Sequence, residues 1–146
     1  MLGFRLVKRT GNYDDPAIPH YYYGLGDAAP GTLITTFAYR PDQMRAARAG
    51  VGLTDHFALS VETDAALEEW RDRLATAGLD VSPLCDQRYF HSFTFRDPDG
   101  LRLEIATRGP GFLVDEADDT LGQRLQLPPG LEPERAAITA ALPPLE

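Results

Sequence analysis

Two side chains of this sequence, one imidazole and one carboxylate, could together hold a divalent metal ion. His56 and Glu104 lie in residues 53–61 and 101–107, where large apolar residues alternate with small or polar ones. Such alternation predicts two strands, each with one buried face and with the imidazole or carboxylate on the other. The two groups belong to the 2-His-1-carboxylate set that binds Fe(II) or Mn(II) and leaves positions open for substrate and oxygen. The alternative is that His56 lies on a solvated face and that Glu104 pairs with it or with Arg102.

A helix is predicted between these strands, and its position decides which sheet face carries the candidate ligands. Apolar residues recur at helical spacing over residues 64–78, with Thr63 or Asp64 as N-cap and Gly78 after the last turn. Further strands are predicted at residues 79–84, 89–96 and 101–107, which completes a βαβββ unit. The helix must cover the apolar face of the sheet, so the two candidate ligands should share the opposite face.

The segments on either side of this unit are less regular. Strands are predicted at residues 2–9, 20–24 and 32–39, and residues 41–52 are predicted to form a connector with at most one helical turn. These strands correspond to the last part of a second βαβββ unit. The tail, residues 108–146, is rich in Gly and Pro and has one predicted helix at 133–142. The sequence therefore predicts an α+β fold.

Composition excludes several classes of function. The chain has 146 residues and a net charge of −8, with basic residues scattered among acidic ones, which argues against a nucleic-acid or anionic-membrane surface. It has no run of 18 apolar residues, and the single cysteine, Cys85, cannot form an internal disulfide. We therefore expect a cytoplasmic protein.

The segment FTFRDPDGLRLEIAT at residues 93–107, with the strand of His56 and the helix around Trp70, resembles the vicinal oxygen chelate superfamily. That superfamily includes glyoxalase I, bleomycin resistance proteins and extradiol dioxygenases. A narrower resemblance, to ring-cleaving dioxygenases of hydroquinone-type substrates, rests on RYFHS at 88–92, PGFLVDE at 110–116 and HYYYG at 20–24.

This resemblance implies paired βαβββ modules that form a cupped mixed sheet. The first module, residues 1–40, lacks its opening strand and helix, and a connector (41–52), a complete module (53–107) and a wrapping tail (108–146) follow in one domain. Family members have four modules, so this chain corresponds to the tail of the first module joined to the last.

The resemblance also implies Fe(II) or Mn(II), a small dihydroxyaromatic substrate and O2. His56 and Glu104 match two of the family's ligands, whereas its other histidine belongs to a strand that would precede Leu2. Metal binding by this chain is therefore expected to be weak.

Three further residues are candidates for the chemistry. Asp55 stands where the family often has a histidine before the ligand, and Thr94 lies near the position of an expected tyrosine proton donor. Arg88 could recognise an anionic or phenolic oxygen, although a solvated arginine fits equally well. His20 is expected in a core or cavity wall, and His91 is expected on the face opposite Thr94.

Two other functions remain open from the sequence. One is a non-catalytic module that binds an aromatic small molecule, as bleomycin resistance proteins bind their ligand, and the other is a glyoxalase-type lyase. An incomplete first module would leave a sheet edge and an apolar face uncovered. The sequence therefore predicts a homodimer or a longer natural polypeptide.

Overall fold

The computed structural model describes residues 2–143, which form two β-sheets, two α-helices and short 3₁₀ helices. The predicted α+β class is confirmed. Met1 and residues 144–146 of the predicted tail lie outside the described residues. The strands are β1 (Arg5–Gly11), β2 (Pro19–Gly24), β3 (Leu33–Phe37), β4 (His56–Val61), β5 (Cys85–Asp86), β6 (Phe90–Arg96) and β7 (Arg102–Pro110). The helices are α1 (Asp64–Thr76) and α2 (Arg135–Ala141), with 3₁₀ helices at Phe112–Val114, Asp118–Thr120 and Pro129–Glu134.

The first sheet is antiparallel, in the order β1-β2-β3. Its central strand is rich in aromatic residues, which favour the pleated, half-buried surface of a sheet. The His20 ring stacks on Phe37 of β3, with 4.1 Å between ring centroids. His20 thus lies against an aromatic neighbour within this sheet.

The second sheet has the order β4-β7-β6-β5, and β4 runs parallel to β7. Cross-strand neighbours share a face, so Phe57, Leu103 and Phe95 point to one side and Ala58, Glu104 and Thr94 to the other. The first set contributes to the buried core beneath α1, together with Leu67, Leu74, Phe93 and Ile105. The helix therefore covers the apolar face, and Glu104 lies on the opposite face.

Helix α1 begins and ends at residues suited to these positions. The Thr63 hydroxyl accepts a hydrogen bond from the Ala66 amide at 3.2 Å, which identifies Thr63 as the N-cap. Gly78 follows the C-cap with φ of 86°, a left-handed conformation in which glycine is not strained. Both features are local, which explains why the helix could be predicted.

The prediction of a strand at residues 79–84 is wrong. Its only pairing is an isolated bridge between Val81 and Phe95, and the edge strand β5 begins later, at Cys85. Leu79 and Val81 pack against the core as part of a loop, so their apolar character reflects burial rather than strand pairing. In the tail, the first part of the predicted helix is instead 3₁₀, and α2 begins at Arg135.

The two sheets are not hydrogen-bonded to each other. β3 is an edge strand of the first sheet, and β4 is an edge strand of the second. A cavity of about 710 Å³ lies between these edges, and both strands line it. No helix within residues 2–143 is long and apolar enough to span a membrane.

Candidate functional site

His56 and Glu104 are brought together by the parallel pairing of β4 with β7. His56 is the first residue of β4 and lies opposite Arg102, whereas Glu104 lies opposite Ala58. The His56 Nε2 atom is 3.1 Å from Glu104 Oε2. The Glu104 side chain is 11% exposed and that of His56 is 37% exposed, so the carboxylate is nearly buried and the imidazole borders solvent.

Asp55 contacts the other nitrogen of the same ring. Its Oδ2 atom is 2.8 Å from His56 Nδ1, and the Arg102 guanidinium donates hydrogen bonds to both of its carboxylate oxygens. The hydrogen bond from His56 lowers the pKa of Asp55 below its ordinary value, and the hydrogen bond from Arg102 is the next largest cause. Arg102, Asp55, His56 and Glu104 therefore form one continuous chain of polar contacts.

The position of His56 between two carboxylates limits where its protons can be. A carboxylate can only accept hydrogen bonds, and a neutral imidazole has a single N–H. If Nδ1 donates that proton to Asp55, the lone pair of Nε2 faces an oxygen of Glu104 at 3.1 Å. Two lone pairs this close repel each other, and a metal ion bound between them would remove that repulsion.

The same distance fits two neighbouring ligands of one metal ion. Nitrogen and oxygen donors that each lie about 2.1 Å from a metal, at a right angle, are about 3 Å apart. His56 Nε2 and Glu104 Oε2 are 3.1 Å apart. Among residues 2–143, no group of three His, Cys, Asp or Glu side chains converges to hold a metal. This site thus offers two protein ligands, an imidazole and a carboxylate.

Thr94 lies beside this pair, opposite Glu104 in the β6–β7 register. Its backbone is fixed by Ser82, whose hydroxyl accepts from the Thr94 amide at 2.9 Å and whose own amide donates to the Thr94 carbonyl at 2.9 Å. Thr94, Ser82, Arg96 and Arg102 line a cavity of about 280 Å³. Hydroxyl and guanidinium donors therefore line this small space, together with Asp80 and Phe95.

Arg88 is at the other end of β6. It precedes Phe90, which pairs with Pro110, whereas Arg96, Arg102 and His56 are neighbours at the opposite end of the sheet. The seven residues from Phe90 to Arg96 span about 20 Å in an extended strand. The structure therefore brings Asp55, His56, Thr94 and Glu104 into one area and places Arg88 outside it.

Arg88 belongs to a second polar cluster. Its guanidinium forms an ion pair with Asp115 at 3.0 Å, and the Tyr89 hydroxyl donates to the same carboxylate oxygen at 3.0 Å. Partial burial, together with the hydrogen bond to Asp115, raises the pKa of Tyr89. Arg88 also lines a cavity of about 310 Å³ with Tyr89 and residues 126–129.

The contact between Arg102 and Asp55 was not predicted from the sequence, where Arg102 was expected as a possible partner of Glu104. It depends on the parallel register, which places Arg102 opposite His56 and next to Asp55. His91 contacts Asp64, the first residue of α1, through Nδ1 at 2.6 Å, and it is therefore remote from the His56 face.

Comparison with known proteins places this chain in a family. The model of the Glyoxalase/Bleomycin resistance protein/Dioxygenase superfamily matches residues 1–105. The chain belongs to this superfamily. The fold agrees, since the crystal structure of a "putative dioxygenase" from Bacillus subtilis subsp. subtilis str. 168 has a TM-score of 0.78 and 30% sequence identity. That comparison covers 99% of this chain and 43% of the other.

Two proteins of Bacillus subtilis (strain 168) are similar in sequence to this chain. The chain is 40% identical over 99 residues to "Putative ring-cleaving dioxygenase MhqA". The matched region covers 68% of this chain and 31% of that protein. It is 37% identical over 97 residues to "Putative ring-cleaving dioxygenase MhqO", covering 66% and 31% of the respective chains. The chain thus spans about a third of the length of the curated relatives that it matches.

Proposed function

We propose that this chain supplies the metal centre of a cytoplasmic, divalent-metal-dependent dioxygenase that cleaves the ring of a small dihydroxyaromatic substrate in an extradiol manner. The observation that carries the proposal is the 3.1 Å approach of His56 Nε2 to Glu104 Oε2, on a ring whose Nδ1 contacts Asp55. An imidazole and a carboxylate suit Fe(II) or Mn(II), the metals we propose. The names of the relatives support the reaction class.

The residues around the centre have distinct roles in this proposal. His56 and Glu104 hold the metal, which when bound lowers the pKa of a substrate hydroxyl and keeps both reactants within reach. Because the chain contributes two ligands, we expect the metal to be bound weakly. Thr94, which is paired with Glu104 in the strand register and lines a cavity with Arg102, would exchange a proton or a hydrogen bond with a substrate oxygen.

Recognition of an anionic or phenolic oxygen by Arg88 stays a prediction. The Arg88 guanidinium is paired with Asp115, whose side chain is 10% exposed. A ligand oxygen would have to compete with this nearly buried carboxylate for the guanidinium. Such binding would take place in the cavity near Tyr89 rather than beside His56.

We also propose that the chain assembles as a homodimer. The free edges of β3 and β4 support this assembly, because unpaired edge strands favour association with another chain. Exposed apolar side chains on the first sheet support it too, since Leu6, Leu33 and Phe37 are 51%, 41% and 42% exposed.

The proposed reaction can be tested by oxygen uptake. Protein loaded anaerobically with Fe(II) is mixed with a hydroquinone or a catechol in air-saturated buffer, and oxygen consumption is followed together with loss of the aromatic absorbance. We expect metal-dependent turnover that His56→Ala and Glu104→Ala abolish. His91→Ala is the matched control, since His91 also contacts a carboxylate but lies on the α1 side of the sheet.

Three other results would each lead to a different conclusion about the function. Oxygen uptake at the wild-type rate in His56→Ala contradicts the assignment of the centre. Thermal stabilisation by the aromatic compound without metal or turnover favours the non-catalytic binding module. Consumption of a thiol adduct of an α-ketoaldehyde favours the glyoxalase-type lyase.

A further inference from the structure

We infer that Asp55, held by Arg102, is a positioning residue that fixes the proton of His56 on Nδ1 and thereby directs the Nε2 lone pair towards Glu104. This inference rests on the proposed function for its consequence in metal binding. The hydrogen-bond geometry that supports it is independent of that function.

The contact with Asp55 selects one form of the His56 ring. A carboxylate is an acceptor only, so the 2.8 Å hydrogen bond between Asp55 Oδ2 and His56 Nδ1 favours the proton on Nδ1, in competition with Glu104, whose Oε2 is 3.1 Å from Nε2. The nitrogen that carries the proton of a neutral histidine is set by the hydrogen bond that the ring makes. Nε2 is then left with a lone pair, which is the state that a metal ligand needs.

Arg102 keeps the Asp55 carboxylate in place. The side chain of Asp55 is 51% exposed and would otherwise be free to rotate in solvent. Arg102 donates to both of its oxygens from β7, at the residue paired with His56. Asp55 directly precedes β4 and is held by Arg102 of the paired strand β7, and groups supported by strands are placed more precisely than groups on a free loop.

The competing explanation is that Arg102 and Asp55 form an ordinary surface ion pair, which adds little to stability. The chain contains a matched example for comparison. Arg40 and Asp42 are 3.3 Å apart where the connector begins, each is 72% exposed, and Asp42 has no histidine contact among those described. The two explanations differ in whether removing the aspartate changes a histidine.

Nitrogen NMR of metal-free, ¹⁵N-labelled protein at pH 8.5 reads the tautomer directly. The chain has three histidines, so His20→Gln and His91→Gln assign the His56 signals by elimination. We expect His56 in the Nδ1–H form in the wild type. Asp55→Ala should move it towards the Nε2–H form that free histidine prefers, while Asp42→Ala leaves it unchanged.

Calorimetry with Mn²⁺ measures the consequence for metal binding. Loss of an outer carboxylate costs roughly 10- to 100-fold in metal affinity, and we expect Asp55→Ala to fall in this range. Asp55→Asn should restore part of the affinity, because its amide oxygen can still accept from Nδ1. Arg102→Gln should weaken binding in the same direction but less, and far-UV circular dichroism checks that each variant is folded.

The outcomes separate this inference from the proposed function. An unchanged His56 tautomer in Asp55→Ala overturns the inference, and wild-type behaviour of Arg102→Gln in both measurements removes Arg102 from it. If the tautomer responds as expected but the wild type does not bind Mn²⁺, the positioning is supported and the metal function is rejected. If Mn²⁺ binds equally to wild type and Asp55→Ala, the metal function stands and the positioning role is rejected.

Discussion

At the scale of single residues, His56 and His91 show how differently two carboxylate-bound histidines can serve a fold. His56 lies between Asp55 and Glu104 at the end of a strand, on the face away from α1. His91 contacts Asp64 at 2.6 Å and is 3.7 Å from Asp86, so it connects β6 to the first turn of α1. These contacts fit the binding role proposed for His56 and a structural role for His91.

The contact of His91 with Asp64 predicts a pH-dependent stability. Hydrogen bonding to Asp64 raises the pKa of His91 above its ordinary value of about 6.5. The resulting stabilisation is complete below the unfolded-state pKa and is lost as pH rises through the folded-state pKa. In urea unfolding, wild type should exceed His91→Gln in stability by more at pH 6 than at pH 9.

His20→Gln is the control for this experiment, because His20 stacks on an aromatic ring in the other sheet. A difference between wild type and His91→Gln that stays constant from pH 6 to pH 9 would show that the ion pair does not contribute.

The sequence was informative about which residues share a face and less so about which residues touch. Alternation in β4 and β7 put His56 and Glu104 on the same side of a sheet because the period of a strand is 2. The contact between Arg102 and Asp55 could not be predicted in this way. That contact depends on the register of a parallel pair, which residues distant in sequence determine.

At the scale of elements, α1 determines which face of the second sheet is available for chemistry. Leu67 and Leu74 are almost completely buried and pack against Phe93 and Ile105 of the sheet. With the apolar face covered, the polar residues of β4 and β7 remain on the other face. Formation of α1 is therefore a requirement for the site.

The N-cap of α1 gives a prediction at this scale. Thr63→Ala removes the acceptor for the Ala66 amide, and such changes cost about 1 kcal/mol of unfolding free energy. Denaturant unfolding measures this loss, with Thr76→Ala at the exposed last residue of the helix as a control. A loss as large in Thr76→Ala would mean that the cap is not the cause.

Elements with local signals were predictable, whereas irregular elements were not. α1 has an N-cap, an apolar stripe and a terminal glycine, all visible in the sequence. Residues 79–84 contain apolar side chains that are buried without strand pairing, which a pattern of hydrophobicity does not distinguish from a strand. The same applies to Pro129–Glu134, which begins with one proline, has a second at Pro133, and adopts a 3₁₀ conformation before α2.

At the scale of the whole molecule, the two sheets meet across a cavity of about 710 Å³ between the free edges of β3 and β4. Leu33, which is 41% exposed, lines this cavity. An open apolar cavity next to two unpaired edges favours association of the molecule with another chain.

Light scattering after gel filtration tests the proposed homodimer. We expect a mass of about twice the 16.1 kDa of one chain. Leu33→Glu should shift the protein towards the monomer by placing a charge at the free edge. Val51→Glu, in the fully exposed connector, should leave the mass unchanged. A wild type that elutes as a clean monomer at high micromolar concentration would rule out the dimer.

The central claim is that His56 and Glu104 bind one divalent metal ion, and titration calorimetry with Mn²⁺ tests it most directly. The wild type should bind a single ion, and His56→Ala and Glu104→Ala should each weaken the affinity by at least about tenfold, since even outer residues contribute this much. His91→Ala, at the other carboxylate-bound histidine, should match the wild type. Equal Mn²⁺ affinity in the wild type and in His56→Ala or Glu104→Ala would contradict the account.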